Sequence, residues 1–374
     1  MVKGKKRVLV VFGTRPEAIK MSPVIHELRQ REHSFDCIVC VTAQHREMLD
    51  QVLEWFEIVP EYDLNIMKHS QDLFDITISA LLGMRKVLSK SRPDVVLVHG
   101  DTTTSTAATL AAFYMKIPVG HVEAGLRTHN MYSPYPEEIN RQLTSRMASF
   151  HFSPTESNRA NLLQERVPVG SVFVTGNTVI DALLWTMDKI KSGKFSGNTV
   201  IRDIVSYNYA KLILVTAHRR ESFGKGFENI CNALRFIAIQ NPDTAIVYPV
   251  HPNPNVTTIV NEMLGEEKNI YLIPPMDYQN FVYLMSVSDI ILTDSGGVQE
   301  EAPSLGKPVL VMREVTERLE GLESGTIRLV GTDPDKIVNE VSSCLAGKFK
   351  AEGNNPYGNG SAASRIADIL EENI

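Results

Sequence analysis

Polar residues crowd the positions just after short apolar runs, and their types suit acid–base work on an anionic ligand. Asp294-Ser-Gly-Gly-Val-Gln-Glu-Glu301 follows the run DIILT and opens a helical pattern. Two glycines, Gly296 and Gly297, at a helix start let a phosphate approach free backbone N–H groups at the positive end of the helix dipole. Ser295 adds a hydroxyl there. Glu301 lies one helical turn beyond Gly297 on the same face, where a carboxylate can accept both hydroxyls of a ribose. The competing reading is a tight strand-to-helix turn with a solvent-facing Glu. Gly13-Thr-Arg-Pro-Glu17 follows the first apolar run. Thr14 and Glu17 have capping-box spacing, with Pro16 just inside the helix start, so that part is structural. Arg15 and Lys20, about one turn apart, are not needed for the cap, and two cations at a helix start suit a diphosphate. A solvated helix charge is a serious rival reading for Lys20 and a weaker one for Arg15.

Asp101 ends the run VVLVHG, Glu123 ends PVGHV, and Glu137 and Glu138 sit in the proline-bounded stretch SPYPEE. Several carboxylates on one edge serve as acid and base when their environments split their pKa values. Asp101 has a second reading as the N-cap of TTTSTAATLAAF. Glu123, followed by Ala-Gly, has less structural reason to be there. His218-Arg219-Arg220-Glu221 follows LILVTA, and a histidine beside two arginines suits an anion clamp or a proton donor. His251 in PVHPNPN resembles it, with a turn role set by Pro252 and Pro254 as the alternative. His99 and His121 read as hydrogen-bonded core or supporting histidines. No His/Cys/Asp cluster has metal-ligand spacing, and neither G-x-S-x-G nor G-x-G-x-x-G occurs. No metal and no redox cofactor are expected.

The elements that must position these residues are legible as apolar runs. In the first half they are Val8–Phe12, Cys37–Val41, Val95–Val98, Pro118–Val122, Ser149–Phe152 and Val172–Val174. In the second half they are Leu212–Val215, Ala245–Val250, Ile270–Ile273, Asp289–Leu292, Val309–Val311 and Ile327–Val330. Val, Ile and Leu dominate with little polar alternation, as in parallel strands buried on both faces. A helical pattern follows each run. This predicts two doubly wound α/β domains facing across a polar cleft, with ligands outside the carboxyl ends of the strands. The boundary is expected near Gly176, giving residues 1–175 and 176–360. The turn-rich GNNPYGNGS then precedes a last amphipathic helix over 361–374.

Composition narrows the functional classes. The 374 residues are 43% hydrophobic and 22% charged, with no low-complexity tract, which excludes disordered, collagen-like and coiled-coil readings. A net charge of −6 argues against a general nucleic-acid or membrane-surface binder. No apolar run approaches the ~20 residues of a membrane span. The basic start resembles a signal peptide, but its apolar run is too short, and it reads as a first strand. Cys37 and Cys40 fall in one strand, where residues three apart point to opposite faces, so two buried thiols in a reducing cytosol are expected.

The chain resembles the non-hydrolysing UDP-N-acetylglucosamine 2-epimerases along essentially its whole length. The matching stretches are FGTRPEAIKMSPV, VTAQHREMLDQVL, VLVHGDTTTS, AAFYMKIPVGHVEAGLRT, YPEEINRQLTS, SPTESNRANLL, GNTVIDALL, TAHRRESFGKG, YPVHPNPNV, LTDSGGVQEEAPSLGKPVLVMRE and NPYGNG. The resemblance implies the two-Rossmann fold of GT-B glycosyltransferases, with the final helix returning to the first domain. It implies reversible conversion of UDP-GlcNAc to UDP-ManNAc by elimination of UDP to 2-acetamidoglucal and re-addition. No NAD is required, and the ManNAc unit feeds cell-surface polysaccharide. Carried over by motif, Asp101, Glu123 and Glu137 form the acid/base set, with His218 near the leaving phosphate. Arg15, Lys20, His251, Phe281, Ser295, Gly296, Gly297, Glu301 and Arg313 would bind substrate.

Some family members bind a second UDP-GlcNAc as activator, and Gln44, Glu138, Arg219 and His251 are placed to contribute to such a site. Where some members have an arginine after the segment matching LNIMK, this chain has His69-Ser70. Leu319 stands where proline is common. A cytoplasmic homodimer is the expected assembly. Rival readings are a hydrolysing epimerase releasing ManNAc, a GT-B glycosyltransferase, and a non-catalytic nucleotide-sugar-binding regulator. GTRPE favours the non-hydrolysing branch, and the intact carboxylates argue against the regulator.

Overall fold

The computed structural model describes residues 4–43, 46–68, 70–219, 223–349, 351 and 354–374. The chain divides into two compact units, Met1–Trp185 with Tyr357–Ile374, and Thr186–Pro356.

In the first unit, seven parallel strands form one sheet in the order β3-β2-β1-β4-β5-β6-β7. They are β1 (Lys6–Phe12), β2 (Phe35–Val41), β3 (Tyr62–Asp63), β4 (Val95–His99), β5 (Val119–Val122), β6 (Phe150–Ser153) and β7 (Val172–Val174). The second unit has six parallel strands in the order β10-β9-β8-β11-β12-β13. These are β8 (Lys211–Thr216), β9 (Thr244–Pro249), β10 (Ile270–Ile273), β11 (Ile290–Thr293), β12 (Val309–Val311) and β13 (Ile327–Leu329). Every expected run is a strand. β3 was not expected, being a two-residue edge strand with no apolar run.

Both sheets have the doubly wound order, in which the chain reverses direction between the first and fourth strands. These switch points lie at β1/β4 and β8/β11. Helices cover both faces, so the central strands are enclosed: Leu9, Val11, Val96 and Val98 in one core, Ile213, Val215, Ile246 and Leu292 in the other, all fully buried. Cys37 and Cys40 are free thiols on β2, and burial pushes both up to about 12.

The division between the units falls after Trp185, inside the helix Thr178–Lys191, rather than at Gly176, and the chain re-enters the first unit at Tyr357 rather than Ser361. Hydrogen bonds account for the difference. Asn177 N–H donates to the Tyr357 carbonyl at 2.7 Å, binding the start of that helix to the returning chain. Asp181 then accepts the N–H groups of Ala362 and Ala363, capping the last helix, Ala362–Asn373. Arg31 ties the same helix down through Asp368 and Glu371.

Candidate active site

On the first unit the switch point gathers acids, bases and their partners. Glu17 does more than close a capping box. Its Oε2 accepts the N–H groups of Gly13 (3.0 Å) and Thr14 (2.8 Å). Its Oε1 accepts the hydroxyls of Thr102 (2.7 Å) and Ser105 (2.9 Å), locking the loop after β1 to the loop after β4. Gly13 is required by this packing, because a Cβ there would lie 2.1 Å from Thr42 Oγ1.

The helix Thr103–Tyr114 is capped by Thr102, whose Oγ1 accepts the Ser105 N–H at 3.1 Å. Asp101 is therefore not the N-cap. Its carboxylate accepts from Arg141 Nη2 at 2.7 Å instead. Burial raises the Asp101 pKa, Arg141 opposes that, and the negative charges of Glu123 and Glu137 add to it.

Glu123 follows β5 with a left-handed backbone, φ +62°. A non-glycine residue held there is strained, and such strain concentrates at functional sites. Its Oε2 accepts from Lys20 Nζ and from Asn177 Nδ2 (3.0 Å), and lies 3.5 Å from His99 Nε2. Burial alone would raise the Glu123 carboxyl, but Lys20 and His99 outweigh it and hold it well below the usual carboxylate range. The environments of Asp101 and Glu123 thus drive their pKa values apart, the condition for separate acid and base duties.

Glu137 is the first residue of the helix Glu137–Met147, and its buried Oε2 has no hydrogen-bond partner among the described residues. His121 supports the cluster from behind: Nε2 bonds the Gly100 carbonyl at 2.7 Å, and burial drives its pKa down to about 3.

Three of the expected residues have surroundings the sequence did not show. Lys20 pairs with Glu123. Arg15 is half-buried, its pKa is lowered by burial, and no ion pair is seen for it among the described residues. Glu138 is fully buried, and its oxygens accept the N–H groups of Thr128 and His129 and the Gln142 amide, so it anchors the 128–138 loop. Gln44 and His69 lie outside the described residues, as do Arg220 and Glu221.

On the second unit the switch point brings together His218, His251 and Asp294. Asp294 is fully buried, and its Oδ2 accepts the backbone N–H groups of His218 (2.6 Å) and Arg219 (2.7 Å). The His218 and His251 rings stack at 5.4 Å with 10° between planes. His251 Nδ1 also accepts the Asn253 N–H at 3.2 Å, so this histidine both shapes its turn and faces His218. Burial lowers the His218 pKa, Asp294 pulls it up, and His251 and Arg219 lower it further.

Ser295 precedes the helix Gly296–Glu301 without a side-chain cap bond. A Cβ at Gly296 would lie 3.1 Å from the Arg318 guanidinium carbon, so glycine here also answers to Arg318, which is fixed by Glu300. Glu301 is nearly buried, and its Oε1 accepts the Tyr278 hydroxyl at 3.0 Å. Burial, then the Glu301 charge, raise the Tyr278 pKa well above its usual value. Phe281 is half-buried on the helix Tyr278–Val287, and buried Arg313 bonds Glu317 at 3.3 Å. Sequence reasoning missed Asn177, Arg141, Tyr278 and the part played by Asp294. GNTVIDALL and LTDSGG were recognised as segments, but nothing local marks those side chains as partners. Among the described residues no group of three or more His, Cys, Asp or Glu is arranged to hold a metal, and no helix is long and apolar enough to cross a membrane.

Two Rossmann-ordered units with ionisable residues collected at each switch point define an α/β protein of the GT-B-like class. The family model for UDP-N-acetylglucosamine 2-epimerase matches residues 26–371. The chain belongs to that family and is an enzyme with UDP-N-acetylglucosamine 2-epimerase activity. It is 57% identical to the UDP-N-acetylglucosamine 2-epimerase of Escherichia coli O157:H7, over 98% of this chain and 99% of that one. It is similar to the crystal structure of the Neisseria meningitidis UDP-GlcNAc 2-epimerase bound to UDP-GlcNAc, with 51% identity, TM-score 0.87, and 98% and 100% of the two chains covered. A Methanocaldococcus jannaschii UDP-GlcNAc 2-epimerase in complex with UDP-GlcNAc and UDP matches at 36% identity and TM-score 0.80, over 98% and 99% of the chains.

Proposed function

We propose that the enzyme works by the non-hydrolysing route and interconverts UDP-GlcNAc and UDP-ManNAc. C2 of the sugar is not adjacent to a carbonyl, so its proton is not acidic. Breaking the C1–O bond to UDP as the C2 proton leaves solves that problem and gives 2-acetamidoglucal plus UDP. Re-addition of UDP at C1, with a proton delivered to the other face of C2, gives the epimer, and atoms balance without an external oxidant.

The observation that carries this reading is the acid–base cluster on the first unit. Asp101 is biased toward its protonated form, Glu123 is held ionised by Lys20, and Glu137 keeps one buried oxygen unpartnered. Proton removal and return on opposite faces need more than one such group. Residues of the second unit are proposed to hold UDP: Glu301 at the ribose, Ser295, Gly296 and Gly297 at the phosphates, with Phe281, Arg313 and His251 nearby. Arg15 is proposed as a further phosphate contact. His218 is proposed to protonate the departing phosphate oxygen. The Neisseria and Methanocaldococcus relatives, solved with UDP-GlcNAc and with UDP, support these ligands. A homodimer, a cytoplasmic location and supply of ManNAc units for polysaccharide are proposed with this assignment. A second UDP-GlcNAc as activator is proposed with a weakened site, because Ser70 stands where some members carry a cation.

NMR of products after incubation with UDP-GlcNAc tests the route. UDP-ManNAc accumulating to a fixed ratio with UDP-GlcNAc is the expected result. Free ManNAc together with UDP in equal amounts would overturn it in favour of hydrolysis.

A further inference from the structure

We infer that Asp294 is a positioning residue for His218, holding the imidazole with Nδ1–H turned inward and Nε2 turned outward. This deepens the reading of His218 as proton donor and rests on it. Asp294 Oδ1 is buried, has no hydrogen-bond partner among the described residues and lies 3.3 Å from His218 Nδ1. A buried carboxylate oxygen left unpaired is costly, and the imidazole N–H faces it at nearly bonding distance. The other oxygen, Oδ2, fixes the backbone that carries the ring through the N–H groups of His218 and Arg219.

The remaining surroundings limit the ring further. Tyr248, on β9, donates its hydroxyl to the Ala217 carbonyl at 2.6 Å, pinning the residue before His218. His251 stacks on one face of the ring. Since His251 Nδ1 accepts the Asn253 N–H, its own proton sits on Nε2. Among the described residues the titratable groups facing His218 are Asp294, His251 and Arg219, and of these Asp294 favours the imidazolium. With Nδ1–H committed to Asp294, the charged ring presents Nε2–H outward. After losing that proton it remains the Nδ1–H tautomer, ready to be recharged on the same nitrogen. A carboxylate behind a histidine orients it and stabilises its charged form in this way.

The test is 15N NMR of the full chain labelled at histidine, with His218 assigned by difference from His218→Gln. Neutral His218 is expected as the Nδ1–H tautomer. Asp294→Asn is expected to lower its pKa by about one unit or more and to increase the Nε2–H tautomer. In the same variant kcat falls by on the order of 100-fold, with KM changed less than about threefold. Nε2–H as the main tautomer in the unmodified protein would overturn the inference, as would an unchanged His218 titration in Asp294→Asn. The unmodified spectrum decides the matter if that variant does not fold. If tautomer and titration behave as expected while His218→Gln keeps full kcat, Asp294 still positions the ring and the proton-donor reading is what fails.

Discussion

Lys20→Met isolates an enclosed ion pair of the first unit. The Lys20 and Glu123 side chains are only 14% and 17% exposed, so solvent screens their attraction weakly. Two unit charges about 4 Å apart at an effective dielectric of about 20 attract by about 4 kcal/mol, which sets the order of magnitude for this hydrogen-bonded pair. Deleting one partner of such a pair costs about 3–5 kcal/mol, because the other charge stays buried. Asn177 at 3.0 Å and His99 at 3.5 Å still serve Glu123, which places the expected loss near the lower figure, about 3 kcal/mol. The pH dependence has a defined sign. Glu123 is held well below its usual pKa, so its stabilisation is present above the unfolded carboxylate value of about 4.3 and is lost as pH falls through the folded one. Without Lys20, burial raises the folded pKa, and the penalty of a buried charge is relieved as pH falls through that raised value. The stability gap between the two proteins should be widest near pH 8 and shrink toward pH 5. Both tryptophans, Trp55 and Trp185, belong to the first unit and contact one another, so their fluorescence in urea follows this unit alone. A gap under about 1 kcal/mol, or one that does not change with pH, would refute the reasoning.

Three other outcomes follow from the same geometry and from the family likeness. Glu301→Ala should weaken UDP binding by about 1–3 kcal/mol in calorimetry, and Tyr278→Phe by less, since the Tyr278 hydroxyl bonds Glu301, the residue proposed to hold the ribose; unaltered affinity in Glu301→Ala removes Glu301 from the nucleotide site. Gly13→Ala should destabilise the first unit by about 1–3 kcal/mol in the same urea assay, because the new methyl meets the Thr42 and Thr104 hydroxyls at 2.1 and 2.6 Å; a neutral result would mean that the loop yields. With Ser70 in place of a cation, rate against UDP-GlcNAc should be nearly hyperbolic and UDP-ManNAc alone should turn over; strong sigmoidicity would show an intact activator response.

The strands were legible because a parallel strand enclosed on both faces must be a continuous apolar run, and a short run cannot be mistaken when a helical pattern follows it. Tyr62–Asp63 escaped because an edge strand of two residues needs no such run. Candidate site residues stood out where their type was anomalous for its place, as with Glu123 after a buried strand. Their partners were not. Lys20 and Glu123 lie far apart in sequence, as do His218 and Asp294, and only the sheet order brings them together. Asp101 shows the limit of local chemistry: both it and Thr102 are good N-caps, and the choice of Thr102 is settled by Glu17, which holds the Thr102 hydroxyl from another loop. Glu138 shows a related limit: its proline-bounded stretch gives no local sign that the carboxylate accepts the Thr128 and His129 N–H groups and so ties the preceding loop.

The elimination route itself is tested most directly by incubating the enzyme in D2O with UDP-GlcNAc carrying 18O in the bridging position between C1 and phosphorus. In the proposed route the C2 proton is removed to a carboxylate that exchanges with solvent, and UDP is transiently released from the sugar with its β-phosphate free to rotate. Deuterium should therefore appear at C2 of UDP-ManNAc without added NAD, and the 18O should scramble among the oxygens of the β-phosphate. UDP-ManNAc that retains the original C2 hydrogen and an unscrambled bridging label would contradict the account.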